Sequence, residues 1–168
     1  MNKNLPLKIM SPSPTDNQSI DQLPGHYIRR LQQIAVAIFL QETEAFSITP
    51  IQFAAMGVLN KNPHLDQKTL AQTIGQDAST IGGVIDRLET RGLVKRSPSV
   101  NDRRAHLLTL THEGQSLLQQ ITPAVLKAQD RILEPLTPSD HATFLKMLDI
   151  LVKGNNELSR APTISHHT

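Results

Sequence analysis

Between Leu65 and Thr111 the chain carries a pattern that few folds can satisfy. Two short amphipathic segments flank a glycine turn, and two β-prone runs around a polar tip follow them. Asp66 stands where a helix N-cap belongs, and Leu70, Ala71 and Ile74 fall on one face of the helix after it. Gly75-Gln76-Asp77 breaks that periodicity: glycine accepts a left-handed turn, and Asp77 can cap a second helix. In this helix Ile81, Val84, Ile85 and Leu88 recur at helical spacing and predict a buried face. Ser79, Thr80, Gly83 and Arg87 share the opposite face, and Gly92 stands just past the end. Helix, short glycine-containing turn, helix is the pattern of a helix-turn-helix, whose second helix enters the major groove of DNA.

Leu93 to Arg96 and His106 to Leu110 read as two short strands, joined by a polar tip from Ser97 to Arg104 with Asn101-Asp102 at its end. Arg87, Arg91, Lys95, Arg96, Arg103 and Arg104 cluster here against only Glu89 and Asp102 between Arg87 and Arg104. A basic hairpin beside a reading helix makes a winged helix-turn-helix. The helix supplies base-edge contacts, and the wing supplies cations for phosphate or the narrow minor groove. The candidate DNA contacts are therefore Ser79, Thr80, Gly83 and Arg87 on the helix, and Arg96, Asp102, Arg103 and Arg104 on the wing. Ser79 and Thr80 sit in the first turn, where short hydroxyls reach phosphates or base edges. Gly82-Gly83 lies mid-helix at about 1 kcal/mol per glycine relative to alanine. Close approach of DNA at Gly83 and close packing beneath Gly82 both account for the pair. Asp102 at a DNA-facing tip either orients an arginine or shapes the turn. Winged helices also serve as protein-interaction modules, and some regulators bind DNA without any ligand; both readings stay open on these residues.

Asp102-Arg103-Arg104 followed by a strand ending in Leu110-Thr111 resembles the wing signature of the MarR family, the multiple-antibiotic-resistance-type regulators of bacteria and archaea. Ile85 to Val94 resembles the usual end of that family's recognition helix, and the two motifs stand at the family's spacing. The resemblance covers about Pro24 to Leu158. It implies a repressor in which the first helix and the last two build an intertwined homodimer, with Arg104 or Arg103 reaching the minor groove and Asp102 holding an arginine. A two-fold dimer presents two reading helices to successive major grooves of double-stranded DNA, so the operator should be pseudo-palindromic. Pro24 to Gln33 resembles the branch that senses small aromatic acids. A site for an aromatic carboxylate effector needs apolar walls and one or two cationic or hydrogen-bonding groups. His26, Tyr27 and Arg30 are the candidate polar groups, and Phe39, Phe53 and Met56 the candidate walls.

The rest of the chain fits a mainly α fold with a small β-wing and terminal dimerisation helices. Residues 1–21, rich in Ser, Pro and Asn, read as a flexible arm, and residues 159–168 as a disordered tail. Between them, 22–158 forms the domain: about 48–111 the winged part, and 22–46 with 112–158 the dimerisation helices. Pro24 to about Phe46 is the first long helix, apolar over much of its circumference. Thr49-Pro50-Ile51-Gln52 announces the next through a capping box. Thr111 to Gly114 opens a long helix to about Leu133, within which Pro123 should kink or loosen the backbone. The last helix carries Phe144, Leu145, Met147, Leu148, Leu151 and Val152. The apolar surplus on Ile34, Ile38, Leu148 and Leu151 calls for a second copy.

With 17 Lys and Arg against 15 Asp and Glu, the formal charge is only +2, so the basicity is local to the wing. There is no cysteine, which excludes disulfides and thiol redox sensing. No apolar run approaches the roughly 20 residues of a membrane span and no signal pattern opens the chain, so the expectation is a cytoplasmic protein. The 7 histidines are scattered, and no nucleophilic triad or phosphate loop stands out. No enzyme, metal or cofactor is expected.

Overall fold

The computed structural model describes residues 19–99 and 106–159, together with Pro162. Six helices and three strands follow in the order α1 (Pro24–Glu42), α2 (Pro50–Lys61), β1 (Leu65–Asp66), α3 (Gln67–Thr73), α4 (Ala78–Thr90), β2 (Val94–Pro98), β3 (His106–Leu110), α5 (His112–Leu133) and α6 (Pro138–Gly154). Single 3-10 turns occupy Ile20–Gln22, Glu44–Phe46 and Asn156–Leu158. The architecture is the predicted one, mainly helical with a small antiparallel sheet. The chain divides into two units, 1–33 and 34–168, with the boundary inside α1.

In the first unit, the described residues are the 3-10 turn and the first part of α1, and none of them is buried. The second unit holds the core. Ile81, Val84, Ile85 and Leu88 of α4 are at most 1 % exposed and pack with Met56 and Leu59 of α2, Leu70 of α3, Leu108 of β3 and Ile121 of α5.

The two helices of the turn motif are closed by the same devices. Asp66 accepts from the Thr69 amide (2.9 Å) and hydroxyl (2.6 Å), and Asp77 accepts from the Thr80 amide (2.8 Å) and hydroxyl (2.6 Å). At the C-terminal ends, Gln76 and Leu93 donate their amides to Ala71 and Leu88. The intervening Gly75 and Gly92 take φ of 68° and 71°. Thr49 and Gln52 form the expected reciprocal capping box on α2.

Two features depart from the sequence reading. The first helix stops at Glu42 rather than Phe46: the buried Thr43 turns its hydroxyl back to Phe39 O (2.7 Å), and Ser47 adopts a left-handed φ of 51° after the 3-10 turn. A third strand appears, because Leu65 and Asp66 pair with Leu108 and Leu107 and give the sheet order β1-β3-β2. The helix α5 contains Pro123, as its sequence span implies.

Where wing and helix meet, α5 lies against backbone. Thr111 donates its amide to Leu93 O (3.1 Å) and its hydroxyl to Gly92 O (2.6 Å), and accepts from the Gly114 amide (3.0 Å). A Cβ on residue 114 would overlap the Leu93 carbonyl oxygen. In contrast, α6 buries no residue, and Leu151 and Val152 are 53 % and 64 % exposed.

Two outcomes follow from this construction. Gly114→Ala should lower stability by at least about 2 kcal/mol in urea unfolding, because the backbone at Leu93, just before β2, must move. Gly57→Ala, with nothing within 4 Å of its Cβ, should be neutral or gain up to about 1 kcal/mol. Equal midpoints for the two variants would show that the Leu93 contact is dispensable. Asp66→Ala should cost about 1 kcal/mol near neutral pH. The Thr69 hydroxyl and, after the opposing effect of burial, the Thr69 amide hold the Asp66 carboxyl below its ordinary range. The cap's contribution is then complete above the unfolded pKa of about 3.9 and is lost as pH falls through the lower folded value. Unfolding curves of wild type and variant should converge in acid; a gap that persists to about pH 2 would assign the loss to something other than the ionised cap.

Candidate nucleic-acid interface

Helix α4 divides cleanly between an apolar face in the core and a polar face in solvent. Ser79, Thr80 and Arg87 are exposed and Gly83 is half-exposed on that outer face. The Ser79 hydroxyl has no hydrogen-bond partner among the described residues, whereas the Thr80 hydroxyl is donated to Asp77. This bond, with the Thr80 amide next, holds the Asp77 carboxyl below its usual range, so the negative end of the cap stays ionised.

The two glycines separate. A Cβ on Gly82 would come 3.1 Å from the Gln67 Nε2, and that amide donates to Ala78 O at 3.1 Å. Gly82 thus makes room for the side chain that ties the start of α3 to the start of α4. A Cβ on Gly83 would meet only the Arg87 Nη1, at 3.7 Å, so its face is open.

The cations fall into two kinds. Arg87 and Lys95 are exposed and have no ion pair among the described residues. Arg96 is half-buried on β2, donates to Asp86 (2.6 Å) and Glu89, and takes the Glu89 carboxylate on its own amide (3.3 Å). Burial works against its charge, but the bonds to Asp86 and Glu89 outweigh it and raise the guanidinium pKa above the ordinary value. Arg96 therefore braces the first wing strand against α4. Asp86 and Glu89 stand one helical turn apart on α4, but Arg96 meets them only through the fold, so no local signal marks this brace. Arg91 donates to Ser47 O (2.6 Å) and Phe46 O (3.0 Å), a role with no local signal. Asp102, Arg103 and Arg104 lie outside the described residues.

An open groove of about 550 Å³ runs beside α4, lined by Ser47, Thr49, Gln52, Arg87, Thr90 and Arg91. It brings the unpaired Arg87 together with the hydroxyls of Thr49 and Thr90.

Of the residues expected to meet an effector, His26, Tyr27 and Arg30 belong to the first unit. His26 is half-buried beside the Arg29 guanidinium (3.3 Å), Tyr27 is 61 % exposed, and Arg30 is exposed. Phe39, Phe53 and Met56 belong to the second unit. Phe39 and Met56 are buried in its core, and the partly buried Phe53 ring lies 6.1 Å from that of Phe39. Among the described residues, no helix is long and apolar enough to cross a membrane.

Comparison with known proteins places this geometry. Residues 46–105 match the sequence profile of the MarR family. The HTH-type transcriptional repressor NicR of Pseudomonas putida is 31% identical over 140 residues, spanning 82% of this chain and 89% of its own length. The transcriptional repressor CouR, solved bound to a 23-mer DNA duplex, superposes with a TM-score of 0.75 at 30% identity over 83% of this chain and 99% of CouR. Bordetella bronchiseptica BpsR, solved to explain regulation of its DNA binding by 6-hydroxynicotinic acid, gives a TM-score of 0.75 at 28% identity over 79% of this chain and 94% of BpsR. With a turn motif, a wing and a free outer helix face in place, and relatives matched along most of their length, the chain belongs to the MarR family of transcriptional regulators.

Proposed function

We propose that this protein is a homodimeric repressor that binds a pseudo-palindromic operator and is released from it by a small aromatic acid. The observation that carries the DNA reading is α4: its apolar face is wholly buried, while Ser79, Gly83 and Arg87 face solvent without competing partners in other elements. Ser79, Thr80, Gly83 and Arg87 meet base edges and flanking phosphates, and Arg103 or Arg104, oriented by Asp102, enters the minor groove. The Arg96 guanidinium serves this interface by fixing the wing to α4. The 23-mer-bound CouR and the repressor NicR support the reading by likeness.

Dimerisation is supported by α6, whose exposed Leu145, Met147, Ile150, Leu151 and Val152 have no cover among the described residues. For the effector, the support is the likeness to BpsR, whose DNA binding responds to 6-hydroxynicotinic acid, together with His26 and Arg30 at the start of α1. A guanidinium and an imidazole are the groups that receive a carboxylate through charged hydrogen bonds.

Selection from random duplex DNA tests the operator and the dimer together. The selected sequences should contain an inverted repeat with half-sites separated by about 34 Å, one helical turn. Arg104→Ala should then weaken binding to that duplex by about 1 kcal/mol or more. A single isolated half-site would exclude the two-fold dimer on DNA, and an unchanged Arg104→Ala affinity would remove the wing tip from the interface. Hydroxybenzoates, hydroxycinnamates and pyridine carboxylates titrated into the complex should include at least one that releases the DNA at millimolar concentration. Arg30→Ala or His26→Ala should raise the required concentration about tenfold, or 1.4 kcal/mol. Equal response of both variants would move the carboxylate elsewhere, and silence of every acid would end the aromatic-acid reading.

A further inference from the structure

We propose that Arg91 is a positioning residue, which sets the angle of α4 against the helical frame and thereby the register of the reading face on DNA. Arg91 is the C-cap of α4, but its side chain is used elsewhere: Nη1 donates to Ser47 O at 2.6 Å and Nη2 to Phe46 O at 3.0 Å. The acceptors are the carbonyls that close the Glu44–Phe46 turn, where a helix end leaves oxygens without internal donors. A planar guanidinium fork spanning two adjacent carbonyls restrains rotation as well as distance, which a point-like ammonium does not.

The corner that Arg91 grips is itself held. Thr43 bonds back to Phe39 O (2.7 Å), Phe46 N donates to Thr43 O (3.0 Å), and Ile48 is 2 % exposed. Just before it, Glu42 is paired with Lys127 (2.9 Å) and with Arg131, both on α5. The last turn of α4 is thus fastened to a corner that is fastened to α5. The apolar face of α4 does not do this work alone, because hydrophobic contact is non-directional: it fixes depth more firmly than tilt. Arg96 in turn fastens α4 to the wing. The helix is therefore held by two arginines, one reaching out from its end and one reaching in from β2.

The consequence rests on the DNA-binding reading, while the tie itself does not, and the test keeps the two apart. With the duplex selected by the full-length wild type, Arg91→Ala should lose about tenfold or more in affinity. It should keep wild-type affinity for an unrelated duplex and the wild-type slope of log affinity against log salt. Arg87→Ala provides the contrast, with a slope smaller by about one, as expected for a lost phosphate contact. If Arg91→Ala does not fold, Arg91→Lys carries the same comparison, since it keeps the charge and loses the fork. Hydrogen exchange of DNA-free protein tests the tie: the amides of Arg91, Gly92 and Leu93 should exchange about tenfold faster in either variant. A slope reduced by about one with both duplexes weakened would make Arg91 a phosphate contact and overturn the proposal. So would unchanged affinity for the selected duplex, or unchanged exchange at the end of α4. If the wild type selects no duplex, the DNA reading fails and exchange alone decides the tie.

Discussion

Everything in the winged unit depends on how closely α5 approaches the backbone between α4 and β2. Thr111 bonds to Gly92 O and Leu93 O, and Gly114 lies where a side chain would strike the Leu93 carbonyl. Three elements therefore leave from one cluster of backbone atoms: the end of the reading helix, the first wing strand and the start of α5. The β2–β3 register, Val94 opposite Leu110, brings the wing back to the point from which it set out. Position is fixed here by hard-core repulsion and short hydrogen bonds, so neither the wing nor α5 can shift without displacing the other.

The division of the cations shows how a chain with a formal charge of only +2 can still carry an interface for a polyanion. Arg91 and Arg96 are consumed by carbonyls and carboxylates and stiffen the scaffold. Arg87 and Lys95 remain open to solvent beside them. Counting basic residues overstates what such a surface offers to phosphate, because an arginine paired with two carboxylates contributes little net field.

This is also where the sequence was least informative. Caps, glycine turns and the buried stripe of α4 are local, since each is decided by residues three or four apart, and Asp66, Thr49, Asp77, Gly75 and Gly92 all do what their positions predict. The outer face of α4 was legible for the same reason. The Leu65–Asp66 strand was not, because two residues carry no alternation and pair only once β3 is in place. The end of α1 was hidden too: neither Gly nor Pro marks it, and the stop comes from Thr43 and the left-handed Ser47. Arg96 read as one cation among several because its partners, Asp86 and Glu89, meet it only through the fold. Gly82 and Gly83, equivalent in sequence, are told apart only by the side chain of Gln67.

The Thr80 cap has a chemical consequence for what the helix can read. A threonine hydroxyl has one proton, and here it is spent on Asp77, leaving only oxygen lone pairs. Phosphate oxygens are acceptors and have nothing to give such a group. In the major groove the donors are the exocyclic amines, N4 of cytosine and N6 of adenine. With its cap intact, Thr80 is chemically matched to an amino group on a base, while the neighbouring Ser79, with its proton free, is matched equally to a phosphate or to guanine O6. Two adjacent hydroxyls of almost the same shape thus differ in hydrogen-bonding capacity, one limited to accepting and the other able to donate as well, and the difference is set by Asp77.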